Sequence, residues 1–221
     1  MRIWLVGAPL AAALVLAVFL FGGEVRGGAP SAGATPASPV AAVVSPPGRD
    51  MLTAGEAEAA HRAGLLPAGV RSLLRTEGGQ LRHGEYKWDD KGIPSGKLAI
   101  WVDLRRQMIS VFRGGHEIGT AVVVYGADGM QTPTGRFTIL RKAADYHSRA
   151  YDAPMPYAMF ITNTGVALHG SPMSSRHATH GCIGLPTDFA QLLFSAARLG
   201  DRVEVVVTDA AAVQALEAAK S

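Results

Sequence analysis

Apolar and polar positions divide the chain into four zones. In the first, "MRIWLVGAPLAAALVLAVFLFGG", no charge falls between Arg2 and Glu24, which leaves an apolar run from Ile3 to Phe21. As a helix rising about 1.5 Å per residue, this run spans about 28 Å, close to the ~30 Å hydrocarbon core of a bilayer. Residues 1–23 are therefore expected to be a signal anchor or signal peptide. No small-x-small cleavage site directly follows Phe21, so the uncleaved anchor is favoured, and Arg2 on the cytoplasmic side would send the rest outward. Residues 24–50 are rich in Pro, Ala, Gly and Ser without helical or strand periodicity, which predicts a disordered tether.

In the third zone, residues 51–96, Thr53 and Glu56 have capping-box spacing ahead of "AEAAHRAGLL" and predict a short helix. A second helical piece is expected over Pro67–Arg75, and both pieces should pack on the main domain as a short helical appendage. From Lys97 the pattern changes to Val- and Ile-rich runs separated by turn candidates at "LRRQ" and "RGGH". Strands are predicted at about 98–103, 108–112 and 117–124, forming an antiparallel meander, with further strands in "TPTGRFTIL" and in "GVALHG", which ends near His169. Phe189, Leu192, Leu193 and Ala196 share one face of a helix that Gly200 stops, and "DRVEVVV" returns as a strand. The expectation is a mainly β domain over 97–209 with one helix near the site, followed by a tail at 210–221.

With 48% apolar residues the chain can bury a real core. The net charge of +3 comes from scattered Lys and Arg, so no nucleic-acid partner is implied. Chemistry concentrates in "VALHGSPMSSRHATHGCIGLP", which holds three histidines and the only cysteine. A lone thiol excludes a disulfide within the chain and leaves a metal ligand, a nucleophile or a buried side chain. The spacing of His169, His177, His180 and Cys182 matches no zinc signature, so no metal is expected. A nucleophile fits better, because an imidazole held rigidly at a strand end can activate a thiol on the following loop. Gly181 would let backbone N–H groups turn inward as an oxyanion hole. His61, His83, His116 and His147 read as surface residues, and "TPTG" as a turn.

"THGCIGLP" resembles the [S/T]-H-G-C-[VI] signature of L,D-transpeptidases, the YkuD-like catalytic domain. "LHG" at Leu168–Gly170, "VDLRRQMISVF" and "VYGADGMQTPTGRFTI" resemble that family's histidine strand, opening strands and TPxG turn, in the right order. The resemblance implies a β-sandwich-like fold, peptidoglycan stem peptides as substrate and no cofactor. It also implies Cys182 as nucleophile, His169 as general base and the Gly170 carbonyl as the group orienting the imidazole. Backbone N–H groups of His180, Gly181 and Cys182 would receive the oxyanion, and Thr179 and Tyr157 would face substrate. "YDAPMPYAMF" would form a wall or lid over the cleft, or a loop packed in the core. Gly184 departs from the Arg or Asn many members carry two residues after the cysteine, and a different substrate or acceptor preference is the expectation from that departure. The implied activity is 3→3 cross-linking with release of D-alanine, in the periplasm and anchored to the inner membrane. Trimming of stems as an L,D-carboxypeptidase is the alternative within this chemistry, and a non-catalytic wall-binding module the one outside it. A papain-like peptidase is disfavoured, because there the cysteine precedes the histidine.

Overall fold

The computed structural model describes residues 48–76, 81–126, 130–173, 179–211 and 214. The apolar run Ile3–Phe21, the tether up to residue 47 and His177 lie outside them. Among the described residues, no helix is long and apolar enough to cross a membrane.

The chain enters through β1 (Arg49–Met51), α1 (Ala54–Arg62), β2 (Ser72–Leu74) and β3 (Tyr86–Trp88). Thr53 and Glu56 form the capping box that their spacing predicts. The Thr53 hydroxyl accepts the Glu56 N–H at 3.2 Å, and the Glu56 carboxylate accepts the Thr53 N–H at 2.8 Å. The helix expected over Pro67–Arg75 is not formed. Gly69 turns the chain at φ +77°, and residues 72–74 instead pair with β1 and, through Ser72, with His116. Tertiary pairing overrides a weak local preference here. The same pairing explains why His116 is not a free surface residue: it is half-buried, with Nδ1 2.9 Å from the Ser72 hydroxyl. His61 is also half-buried, whereas His83 and His147 are exposed.

The meander follows as β4 (Leu98–Asp103), β5 (Met108–Arg113) and β6 (His116–Val122), antiparallel and in the expected places. Gly114 and Gly115, at φ +58° and +85°, make the two-residue turn between β5 and β6. Positive φ at both central residues suits the twist of a hairpin, which explains the glycine pair. Asp103 closes the preceding turn by accepting the N–H groups of Arg105 and Arg106 at 3.0 and 3.3 Å. Next comes β7 (Gly135–Thr138), at the edge of an eight-stranded sheet.

The second sheet contains β8 (Arg141–Ala143), β11 (Ala158–Phe160), β12 (Ala167–Gly170) and β13 (Ile183–Leu185), in the order β13-β12-β11-β8. Between β8 and β11, β9 (His147–Ser148) and β10 (Ala153–Pro154) form a separate small hairpin. After β13 come α2 (Thr187–Ala196) and β14 (Arg202–Val206), which returns to the first sheet between β4 and β7.

Alternation along the strands explains the core. Leu98, Ile100 and Val102 of β4 and Ile109 and Val111 of β5 face Met159, Leu168 and Ile183 of the second sheet. On α2, Phe189, Ala190 and Leu193 are the buried positions, whereas Leu192 lies on the shoulder of the helix and is exposed. Burying a ring such as Phe189 is worth about 2–3 kcal/mol. Lys142 ends the helix by donating from Nζ to the Phe194 and Ala197 carbonyls, which satisfies orphan acceptors at its negative end. On the outer face of the first sheet, Val70 covers Trp101 and Phe112, with Leu52, Leu66 and Leu73 packed alongside.

Candidate active site

β12 and β13 run parallel, with Leu168 opposite Ile183, His169 opposite Gly184 and Gly170 opposite Leu185. The register places His169 on one strand beside the residue that follows Cys182 by two on the other. Both side chains line one cleft of about 450 Å³, together with Ser148, Tyr151, Met155 and His180.

His169 is only 7% exposed, and its Nδ1 lies 2.9 Å from the Gly170 carbonyl oxygen. A carbonyl can only accept, so this contact places the imidazole hydrogen on Nδ1 and leaves the Nε2 lone pair free to take a proton. Burial lowers the His169 pKa, and the bond to Gly170 opposes that shift only in part. The ring is therefore neutral at pH 7. Gly170 is closely packed: a Cβ would lie 3.1 Å from the Pro156 ring and 3.3 Å from the Thr187 Cα, and these neighbours would have to give.

Cys182 rests against the apolar group of Met155, Ala158, Phe160 and Ala167. Burial there raises the thiol pKa, against a smaller opposing hydrogen bond from the Ala167 backbone. The resting pair is thus thiol and neutral imidazole, with the thiol offered to the Gly165 carbonyl at 3.8 Å.

The loop before the thiol is shaped by backbone contacts. Gly181 sits at φ +97°, a conformation that side chains other than glycine's rarely take. The Thr179 hydroxyl donates to the Cys182 carbonyl, closing a tight turn around Gly181. Residues 124–126 run alongside as a strap: Val124 and Gly184 exchange two backbone bonds of 3.0 and 2.8 Å, and Thr179 donates to the Tyr125 carbonyl at 3.0 Å. Among the described residues, no backbone carbonyl takes the N–H of Gly181 or Cys182.

One predicted site residue differs from expectation. Tyr157 does not line the cleft. At φ +57° it turns away and packs on Phe194 of α2, with ring centroids 5.9 Å apart. The aromatic ring of the cleft is Tyr151, at the tip of the β9–β10 hairpin, which stacks on His180 at 4.2 Å and 13°. His180 is exposed and its ring is engaged in that stack, so its side chain shapes the rim of the cleft. Among the described residues, no three His, Cys, Asp or Glu side chains gather as a metal ion would require.

The sequence model of the L,D-transpeptidase catalytic domain, YkuD, matches residues 97–205. The chain carries an L,D-transpeptidase catalytic domain. Similar solved structures include an L,D-transpeptidase from Stackebrandtia nassauensis, at 24% identity and TM-score 0.47, covering 54% of this chain and 60% of that one. Another, from Mycobacterium smegmatis, shows 24% identity and TM-score 0.47 over 50% of this chain and 59% of that one. L,D-transpeptidase 1 from Mycobacterium tuberculosis shows 27% identity and TM-score 0.43 over 50% and 61%. The matched part thus spans about 60% of each of these chains. No curated protein sequence matches.

Within this L,D-transpeptidase domain, the departure at Gly184 has a steric cause. A Cβ there would lie 2.6 Å from a Val124 methyl and 2.9 Å from the Ser171 Cβ. Ser171, which lines the cleft, occupies the space that a side chain at 184 would need. Tyr151 and Met155 belong to "YDAPMPYAMF", the stretch expected as a wall over the cleft or a core loop, and both line the cleft; Ser148 and Ser171 lie outside that stretch and outside the histidine and cysteine signatures.

Proposed function

We propose that the chain is a peptidoglycan L,D-transpeptidase in which Cys182 is the nucleophile and His169 the general base. The observation that supports this most is the Nδ1–H bond to Gly170, which aims a neutral, proton-accepting Nε2 at the cleft holding the sole cysteine. A tetrapeptide stem enters with the carbonyl carbon of its third residue above Sγ. Nε2 takes the thiol proton as the S–C bond forms, and the charge developing on oxygen falls to the N–H groups of Gly181 and Cys182, with His180 beside them. Collapse breaks the C–N bond to D-alanine, whose nitrogen takes the proton back from Nε2. The amine of a neighbouring stem then attacks the thioester and delivers its proton to Nε2. The C–S bond breaks as Nε2 returns that proton to Sγ, giving the 3→3 cross-link, the free thiol and a neutral imidazole. Every proton in this cycle passes through one imidazole.

Incubating the chain with a defined muropeptide tetrapeptide and weighing the products tests this reading. A cross-linked dimer with free D-alanine is expected, and Cys182→Ala should give none. Trimmed tripeptide alone would instead make the chain an L,D-carboxypeptidase, and unchanged substrate would point to a wall-binding module. A carbapenem such as imipenem should leave a stable adduct on the wild type and none on Cys182→Ala. We also propose a periplasmic location with Ile3–Phe21 as an inner-membrane anchor, resting on that apolar run. Salt-resistant sedimentation of full-length protein with membranes supports it, and a soluble product starting near residue 30 refutes it.

A further inference from the structure

Across the cleft loop from Cys182, the backbone of Gly126 abuts that of Gly181. A Cβ on Gly126 would lie 2.9 Å from the Gly181 Cα, 3.0 Å from its nitrogen and 1.9 Å from the Met130 carbonyl oxygen. Gly181 holds its positive φ against this surface, with the Gln131 and Met130 carbonyls 3.6 Å from where its own Cβ would be. Backbone bonds at Val124 and Tyr125 tie the strap just before Gly126, and the Gly126 N–H itself is held by a side chain. The buried Thr132 hydroxyl accepts the Gly126 N–H at 3.0 Å, within a turn that the sequence marks only as "TPTG". Pro133 follows at once, and its fixed φ limits how far Thr132 can swing.

We propose that Thr132 is a positioning residue for acyl transfer, acting through Gly126 to fix the orientation of the Gly181 and Cys182 N–H groups. The inference rests on the acyl-transfer reading and adds a role for a side chain that touches neither thiol nor imidazole. Without the Thr132 acceptor, the Gly126 N–H is left buried and unpaired, and residue 126 must move to find a partner. Gly181 then loses the surface it rests on, and its donors move off the line to the oxyanion. A misplacement of this size costs up to about a hundredfold in rate.

Two reactions of the same thiol separate this role from general damage. Acylation by imipenem builds an oxyanion, whereas alkylation by iodoacetamide needs only an accessible thiolate and builds none. Full-length wild type, Thr132→Val and Thr132→Ser are compared by intact mass over time. Thr132→Val, which keeps shape and loses the acceptor, should acylate about tenfold to a hundredfold more slowly while alkylation stays within about threefold. Thr132→Ser, which keeps the hydroxyl, should recover acylation to within about threefold of wild type on the same scale. If Thr132→Val fails to melt cooperatively, Thr132→Ala takes its place as the hydroxyl-free member. Equal loss of both reactions, acylation unchanged in the hydroxyl-free variant, or a serine variant as slow as valine each overturn the role. Wild type that alkylates at Cys182 but never acylates overturns the acyl-transfer reading itself.

Discussion

On one side of the cleft, β12 and β13 hold His169 and Cys182 in a parallel pair whose residues 167–170 and 183–185 are all buried. Across from them, β9 and β10 pair through only two residues each, and the connecting turn leaves Tyr151 49% exposed. The His147–Asp152 contact that ties this turn is between exposed side chains, and such pairs contribute little. The proposed base and nucleophile thus sit where the backbone fixes them, and the aromatic ring of the cleft sits where few buried contacts restrain it. Segments of the second kind open at low free-energy cost. Positioning and access are divided between two kinds of structure.

If this division is right, changes to the parallel pair should outweigh changes to the hairpin. Loss of a general base costs about a hundredfold to ten-thousandfold, so His169→Ala should fall in that range in single-turnover acylation. Its pH profile follows from the same side chain. Because burial lowers the His169 pKa below the ordinary 6.5, the base remains neutral and competent from pH 8 down through 7. The wild-type rate should therefore be flat there and fall only below pH 6.5; an acidic limb centred above 7 would contradict the assignment.

Gly184→Ala comes next. The added methyl, on β13, meets Val124 of the neighbouring strap and Ser171 just past the end of β12, and overpacking of this kind costs about 1–3 kcal/mol. Thermal melting should show that loss together with a reduced acylation rate, and an unchanged melt would mean the two strands are looser than described. Smallest is Tyr151→Ala on the hairpin. Removing its stack on His180 forfeits about 0.5–1.5 kcal/mol, which should appear as a twofold to tenfold rise in KM with kcat little changed. A collapse of kcat instead would place Tyr151 in the chemistry and erase the contrast.

The same contrast marks what could be read from the chain. The meander, the capping box at Thr53 and the histidine strand follow from period, turn glycines and caps, all local signals. β8 to β10 are two or three residues each and carry no alternation long enough to detect. The choice between Tyr151 and Tyr157 depends on a positive φ at Tyr157, which a non-glycine residue does not advertise. Residues 72–74 became a strand because β1 and His116 were there to pair with them, and that is tertiary information. Thr132 looked like a turn residue because its partner, the Gly126 amide, lies six residues earlier on the far side of that turn.

The apolar floor beneath Cys182 also bears on how the protein survives before it meets substrate. Peroxides and disulfides attack thiolates, and a thiol whose pKa is raised by burial presents few of them at neutral pH. The proposed nucleophile is therefore expected to oxidise slowly in the folded chain. In a peroxide titration followed by intact mass, the folded chain should keep its thiol longer than the same chain unfolded in denaturant; equal rates would show that the floor gives no such shelter. Protection and reactivity then share one residue, separated by the arrival of a carbonyl and the transfer of a single proton.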